Sequence, residues 1–168
     1  MRYPVLIFFG IFSTLPASAS ADSGAICSAL RAATVEKASA IRVGPGHPGT
    51  DYLADARTYL LNTNDSLWQS RADKIFSLGP TEKADLTERA RRQSFGPFEP
   101  DCNWAVRVSQ EILPRLHFSQ PLVSSDGNLI FVGVDYLELP RHGGGGNLCL
   151  IRKLGANWKA RCIGTWIA

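Results

Sequence analysis

Histidine is scarce, paired metal-ligand spacings are missing, and no long apolar run lies in the body of the chain. Only His47, His117 and His142 occur, and no H-E-x-x-H or H-x-H spacing sets two of them on one metal. Cysteine never appears as C-x-x-C, which removes the usual zinc signature. No G-x-S-x-G elbow presents a nucleophilic serine. An internal membrane-spanning helix would need about 18 consecutive apolar residues, and none are present after the leader. Charge of one sign is not in large excess. Lys plus Arg number 18 and Asp plus Glu 15, a net of +3, thinner than the basic patch of a nucleic-acid binder. No metal, no cofactor, no nucleic acid and no membrane span after the leader is therefore expected.

What is present is the composition of a folded domain, 45% hydrophobic and 20% charged in 168 residues. The chain opens MRYPVLIFFGIFSTLPASASA. A single basic residue, Arg2, precedes an apolar stretch from Val5 to Leu15, then small residues alternate from Ala17 to Ala21. That is the pattern of a secretory signal peptide, with cleavage expected after Ala21. Residues 22–168 then form one exported domain, periplasmic or secreted. All four cysteines, Cys27, Cys102, Cys149 and Cys162, lie beyond the leader, and an even count in an exported chain favours disulfides.

Two textures divide the domain. Residues 23–93 read as helical. Apolar positions recur at helical spacing over 23–41 and 51–61, a further helix fits Ser66–Phe76, and the run after Thr81 ends on Arg89, Arg91 and Arg92. Residues 43–50, VGPGHPGT, read as a loop. From about 102 to 167 the pattern is strand and turn. Asp126-Gly127 and Gly155-Ala156 mark hairpins, and PRHGGGG (140–146) reads as a flexible loop between strands. The expectation is an α+β fold, N-terminal helices packed on a C-terminal antiparallel β-meander. If Gly155-Ala156 is a two-residue turn, Cys149 faces Cys162, which leaves Cys27 for Cys102. A longer turn would shift that register.

The stretches HFSQPLVSSDGNLIFVGVDYLEL and GGGGNLCLIRKLGANWKARCIGTWI resemble the tail of a group of secreted bacterial domains with no assigned activity. That resemblance implies an envelope protein ending in a β-meander. The Gly-x-x-Trp-Lys ending also resembles the closing strand of NTF2-like cones, and implies a curved sheet around a cavity.

Few residues could carry chemistry. The run Gly143–Gly146 lacks the Lys-Ser/Thr of a phosphate loop. His142 with Asp135 or Glu138 could act as a base and its orienting acid, with Arg141 beside them. That works only if both side chains enter one pocket. Asp135 and Tyr136 point to opposite faces of a strand, and only one face is expected to be inward. His117, between Leu116 and Phe118, is expected to point outward. Arg89, Arg91 and Arg92 form a candidate patch for an acidic partner. The favoured reading is a non-catalytic binding or interaction domain for a protein or envelope component. The alternative is a small-ligand-binding or hydrolytic cone using Asp135 and His142.

Overall fold

The structure is a computed structural model. It describes residues 23–34, 41–44, 56–61, 66–94, 96–108, 115–138 and 143–167. The expected leader, residues 45–50 of the expected loop with His47, and Arg141 and His142 lie outside the described residues, while Val43 of that loop closes a strand.

The described elements run α1 (Ser23–Ala33), β1 (Ile41–Val43), α2 (Ala56–Leu60), α3 (Ser66–Phe76) and α4 (Pro80–Arg92). There follow β2 (Pro97–Phe98), β3 (Ala105–Arg107), β4 (Arg115–Ser119), β5 (Leu122–Val123), β6 (Leu129–Glu138), β7 (Gly143–Leu154) and β8 (Asn157–Ile167). The fold is α+β, with helices first and a strand meander last. The sheet order is β3-β1-β4-β6-β7-β8, with β2 paired to β4 and β5 to β6. From β4 through β6 and β7 to β8, each strand runs antiparallel to the next.

Three local expectations need correction. The first helix stops at Ala33, and Ile41–Val43 is a strand pairing parallel with β3 and β4. The sheet is therefore mixed, and a strand lies inside the stretch read as helical. Ile and Val are stiff at χ1 and fit a pleated surface better than a helix. The last helix begins one residue earlier than Thr81. Pro80 takes the first helical position, where its missing N–H costs nothing. Gly79 is the cap, and its N–H donates to the Glu82 carboxylate at 2.9 Å. The third correction is the glycine run. Gly143–Gly146 is not a loop but the start of β7, in register with Glu138, Leu137, Tyr136 and Asp135 of β6.

Tyr136 explains why one of those glycines is required. A β-carbon built on Gly145 would sit 2.5 Å from the Tyr136 hydroxyl oxygen and 2.7 Å from its ring carbons. The ring occupies the space a side chain would need. Gly145→Ala is expected to destabilise the fold by about 1–3 kcal/mol, the cost of forced overpacking. Urea unfolding of the variant checks this, and an unchanged midpoint would show that Tyr136 moves aside freely.

Both faces of the sheet are covered. On one face Ile130, Val132 and Val134 join Cys149, Ile151 and Phe118 beneath Ala29, Leu30 and Ala33 of α1. On the other, Leu129 and Phe131 join Leu148, Leu150 and Ile163 beneath α2, α3 and α4. This double coverage is why β6 reads LIFVGV rather than alternating apolar and polar. At the second core Tyr59, Phe76 and Phe131 meet with ring centroids 5.0–5.5 Å apart.

Two disulfides close the domain. Cys27–Cys102 ties α1 to the segment before β3. Cys149–Cys162 crosses the last hairpin between directly opposed residues. The turn that sets this register has two residues, and Gly155 at its first position takes φ 62°, as a type II′ turn asks of glycine. Trp104 is buried against the first core, with its indole N–H donating to the Cys27 carbonyl at 3.1 Å. Two disulfides fit an oxidising compartment. Among the described residues no helix is long and apolar enough to cross a membrane.

Candidate binding site

Strand alternation and the tight turn place the basic residues of the last hairpin together. Leu150, Arg152 and Leu154 share one face of β7. Opposite them on the same face of β8 stand Arg161, Lys159 and Asn157. Arg152 is thus the direct cross-strand neighbour of Lys159, an arrangement of like charges that is unfavourable unless offset.

Glu82, in the first turn of α4, supplies part of the offset. Its carboxylate takes a two-pronged contact from the Arg152 guanidinium. One prong, Nη2 to Oε2, is 3.0 Å, and Nη1 meets Oε1 at close range. This fork is the strong geometry for an Arg–carboxylate pair. The guanidinium hydrogen bonds hold the Glu82 carboxyl below its ordinary range, and the same bonds raise the Arg152 pKa. Arg161 reaches the C-terminal end of α3, where Nη1 donates to the Ile75 carbonyl at 3.2 Å. A cation there complements the negative end of the helix dipole.

These side chains, with Phe76 and Ser77 at the end of α3, line a cleft of about 370 Å³. Three cations and one carboxylate face it. Glu82 is committed to Arg152. Lys159 is exposed and has no carboxylate partner among the described residues. The arrangement has room and surplus positive charge for an anionic group.

Close by, Asp73 forms a second charged knot. Lys83 Nζ lies 2.8 Å and the Tyr59 hydroxyl 2.5 Å from the same Asp73 oxygen. The Lys83 hydrogen bond, then that of Tyr59, holds the Asp73 carboxyl below its usual range, while burial pushes the Tyr59 phenol well up. Asp73 and Glu82 thus bind protons more weakly folded than unfolded. Their stabilisation is present above the unfolded carboxylate range and is lost as pH falls through the folded values. The urea midpoint is expected to drop as pH is lowered from about 5 to about 3. Glu82→Gln is expected to flatten that drop. An identical pH profile in the variant would show that the Glu82–Arg152 pair plays no part in it.

A second, more open cleft of about 570 Å³ lies between the start of α1 and residues 101–104. The Cys27–Cys102 disulfide lines it, and the Arg31 guanidinium sits 5.7 Å from the Trp104 ring centre. Asp101 also lines it, so cation and anion are both present there.

The residues singled out from the sequence fall in several places. Asp135 is buried, at 5% exposure, on β6. His142 and Arg141 are outside the described residues, so the Asp135–His142 pair is not on view. The imidazole opposite Asp135 in register is His117 of β4. His117 was expected at the surface, yet it is only 4% exposed. Alternation does turn it away from Leu116 and Phe118, but the face it turns to is the one covered by α2–α4. A sheet packed on both sides has no outward face at its middle strands. Of the helix arginines, Arg91 and Arg92 flank Glu88, at 3.5 and 2.5 Å. Arg89 is half-buried, with its Nε buried and without a hydrogen bond among the described residues. Trp68 packs edge-on to Tyr59, 6.2 Å between ring centres.

Lys159 and Arg161 were not marked from the sequence. Their signal was there. They alternate at i and i+2 on a strand, and the same turn count that pairs the cysteines pairs Lys159 with Arg152.

Comparison of the chain with protein-family models, with curated proteins and with solved structures gives no match.

Proposed function

We propose that this chain is an exported, non-catalytic binding domain whose ligand seat is the basic cleft between the α3–α4 corner and the β7–β8 hairpin. The observation that carries this reading is Lys159, an exposed cation without a carboxylate partner among the described residues, set beside Arg152 and Arg161 in a space of about 370 Å³. The ligand is an anionic group on a protein or envelope component. The leader, MRYPVLIFFGIFSTLPASASA, supports removal after Ala21 and function in the periplasm or outside the cell, and the two disulfides suit that route.

The test is retention of the oxidised protein from Asp22 onward on immobilised poly-glutamate at two salt concentrations. Lys159→Ala/Arg161→Ala is expected to elute markedly earlier than wild type. Arg91→Ala/Arg92→Ala carries the same change in net charge and is expected to elute close to wild type. Equal loss in both variants would reduce the effect to net charge and remove the cleft as a site.

One observation favours a second reading, a cone of the NTF2-like type with a working cavity. Asp135 and His117 are both buried, directly opposite each other on neighbouring strands, and acid–imidazole pairs suit proton transfer. Turnover of a chromogenic ester or phosphate ester that disappears in a folded Asp135→Asn variant would favour this reading.

A further inference from the structure

We propose that the outer edge of β8 takes up an extended, acidic segment of a partner protein as an added antiparallel or parallel strand, its carboxylates alternating onto Lys159 and Arg161. This rests on the basic-cleft reading and gives its anionic ligand a form.

The edge itself is the first support. Strand β8 ends the sheet order, and among the described residues no strand pairs with its far side. It is long, from Asn157 to Ile167, and regular from Asn157 to Gly164 against β7. An edge strand presents alternate backbone N–H and C=O groups outward, which is a template for another strand. Lys159, Arg161, Cys162 and Gly164 are all exposed along it.

Charge pattern chooses the occupant. Lys159 and Arg161 stand two residues apart and so project from the same face of the edge. A strand laid alongside brings its own alternate side chains to Cβ distances of about 4.5–5.5 Å from them. Acidic residues at every second position of the guest meet Lys159 and Arg161 one after the other. The other face of β8 carries Trp158 and Ala160, half-buried against the α1-side core. The intervening guest residues are therefore apolar.

Other occupants fit less well. A second copy paired antiparallel about Ala160 would set Lys159 against Arg161 of its counterpart, and like charges across a strand pair are unfavourable. The leader segment 1–21 holds Arg2 and no Asp or Glu. Lysines on an edge are also a common guard against self-pairing. The same charges that repel a second copy attract an acidic strand.

The probe is the peptide acetyl-TEVEVET-amide, titrated into the isotope-labelled, oxidised protein from Asp22 onward, with amide hydrogen exchange read along β8. Binding is expected to slow exchange at alternate β8 amides. Lys159→Ala/Arg161→Ala is expected to weaken it by about tenfold or more, that is about 1.4 kcal/mol. Methylating alternate peptide nitrogens on the guest removes its ladder donors but not its charge, and is expected to abolish binding. If the methylated peptide binds as well as the parent, charge alone holds it: strand addition is overturned and the basic cleft stands. If neither peptide binds, and poly-glutamate retention is also insensitive to Lys159 and Arg161, both readings fail. A concentration-dependent dimer that protects the β8 amides would give the edge to a second copy and overturn the proposal.

Discussion

Phe131→Ala will destabilise the protein by about 3–5 kcal/mol, a large part of the about 5–15 kcal/mol that holds a typical domain together. Phe131 has no exposed surface. It stands near the middle of the sheet, on β6, and faces the helices. Phe76 of α3 meets it edge-on at 5.0 Å between ring centres, and Tyr59 of α2 lies tilted at 5.5 Å. Tyr59 and Phe76 also contact each other at 5.1 Å. The three rings link two helices to the sheet, so truncating the central one leaves a cavity that no single neighbour can fill. Leu122, Leu148 and Leu150 close the same cluster and are buried as well. Chemical unfolding of the oxidised protein measures the loss. A cost below about 1.5 kcal/mol would mean that the helices collapse onto the sheet and refill the space. Phe131→Leu keeps most of the volume and should recover most of the stability.

The parts of the fold legible in the sequence are those fixed by short-range chemistry. Gly155 at the first turn position sets the last hairpin, and that register brings Cys149 to Cys162 with no help from distant contacts. Ser66–Phe76 shows the helical period, and α3 occupies those residues. The misreadings share another cause, which is that neighbours far along the chain decide the outcome. Ile41–Val43 becomes a strand because β3 and β4, over sixty residues later, offer it edges to pair with. Gly143–Gly146 looks like a loop by composition, yet β6 pairs with all four glycines and β8 with Gly145 and Gly146, which holds the run extended. Tyr136 fills the room that a side chain on Gly145 would need. His117 was misplaced for the same reason. The alternation was legible, but nothing local says that helices cover both faces. The basic cleft was legible in part. Its strand residues follow from the hairpin count, whereas Glu82 and Ile75 reach it only through the packing of α3 and α4 on the sheet.

Removing the Cys27–Cys102 disulfide will cost more stability than removing Cys149–Cys162, by about 4.5 against about 3 kcal/mol in the chain-entropy picture. The two bridges differ most in the length of chain they close. Cys27 and Cys102 are 75 residues apart, Cys149 and Cys162 only 13. Closing the longer loop removes more freedom from the unfolded chain. Context points the same way. The hairpin cysteines are held opposite each other by a tight turn and by ladder bonds on both sides of the bridge, so the folded register survives without the bond. The Cys27–Cys102 bridge instead joins α1 to the segment leading into β3, the strand at the opposite edge of the sheet from β8. There α1 is also held by the Trp104 indole bond to the Cys27 carbonyl and by burial of Ala29, Leu30 and Ala33. The check is a pair of double variants, Cys27→Ser/Cys102→Ser and Cys149→Ser/Cys162→Ser, compared by urea unfolding under identical conditions. Equal costs, or a larger cost for the hairpin bridge, would show that strain or folded-state contacts outweigh loop entropy here. A larger loss for Cys27–Cys102, with hydrogen exchange rising first along α1, would show that this bridge keeps α1 on the sheet. The α1-side face of β6 and β7 is then the first to open in a reducing compartment, while the cleft on the opposite face keeps its shape.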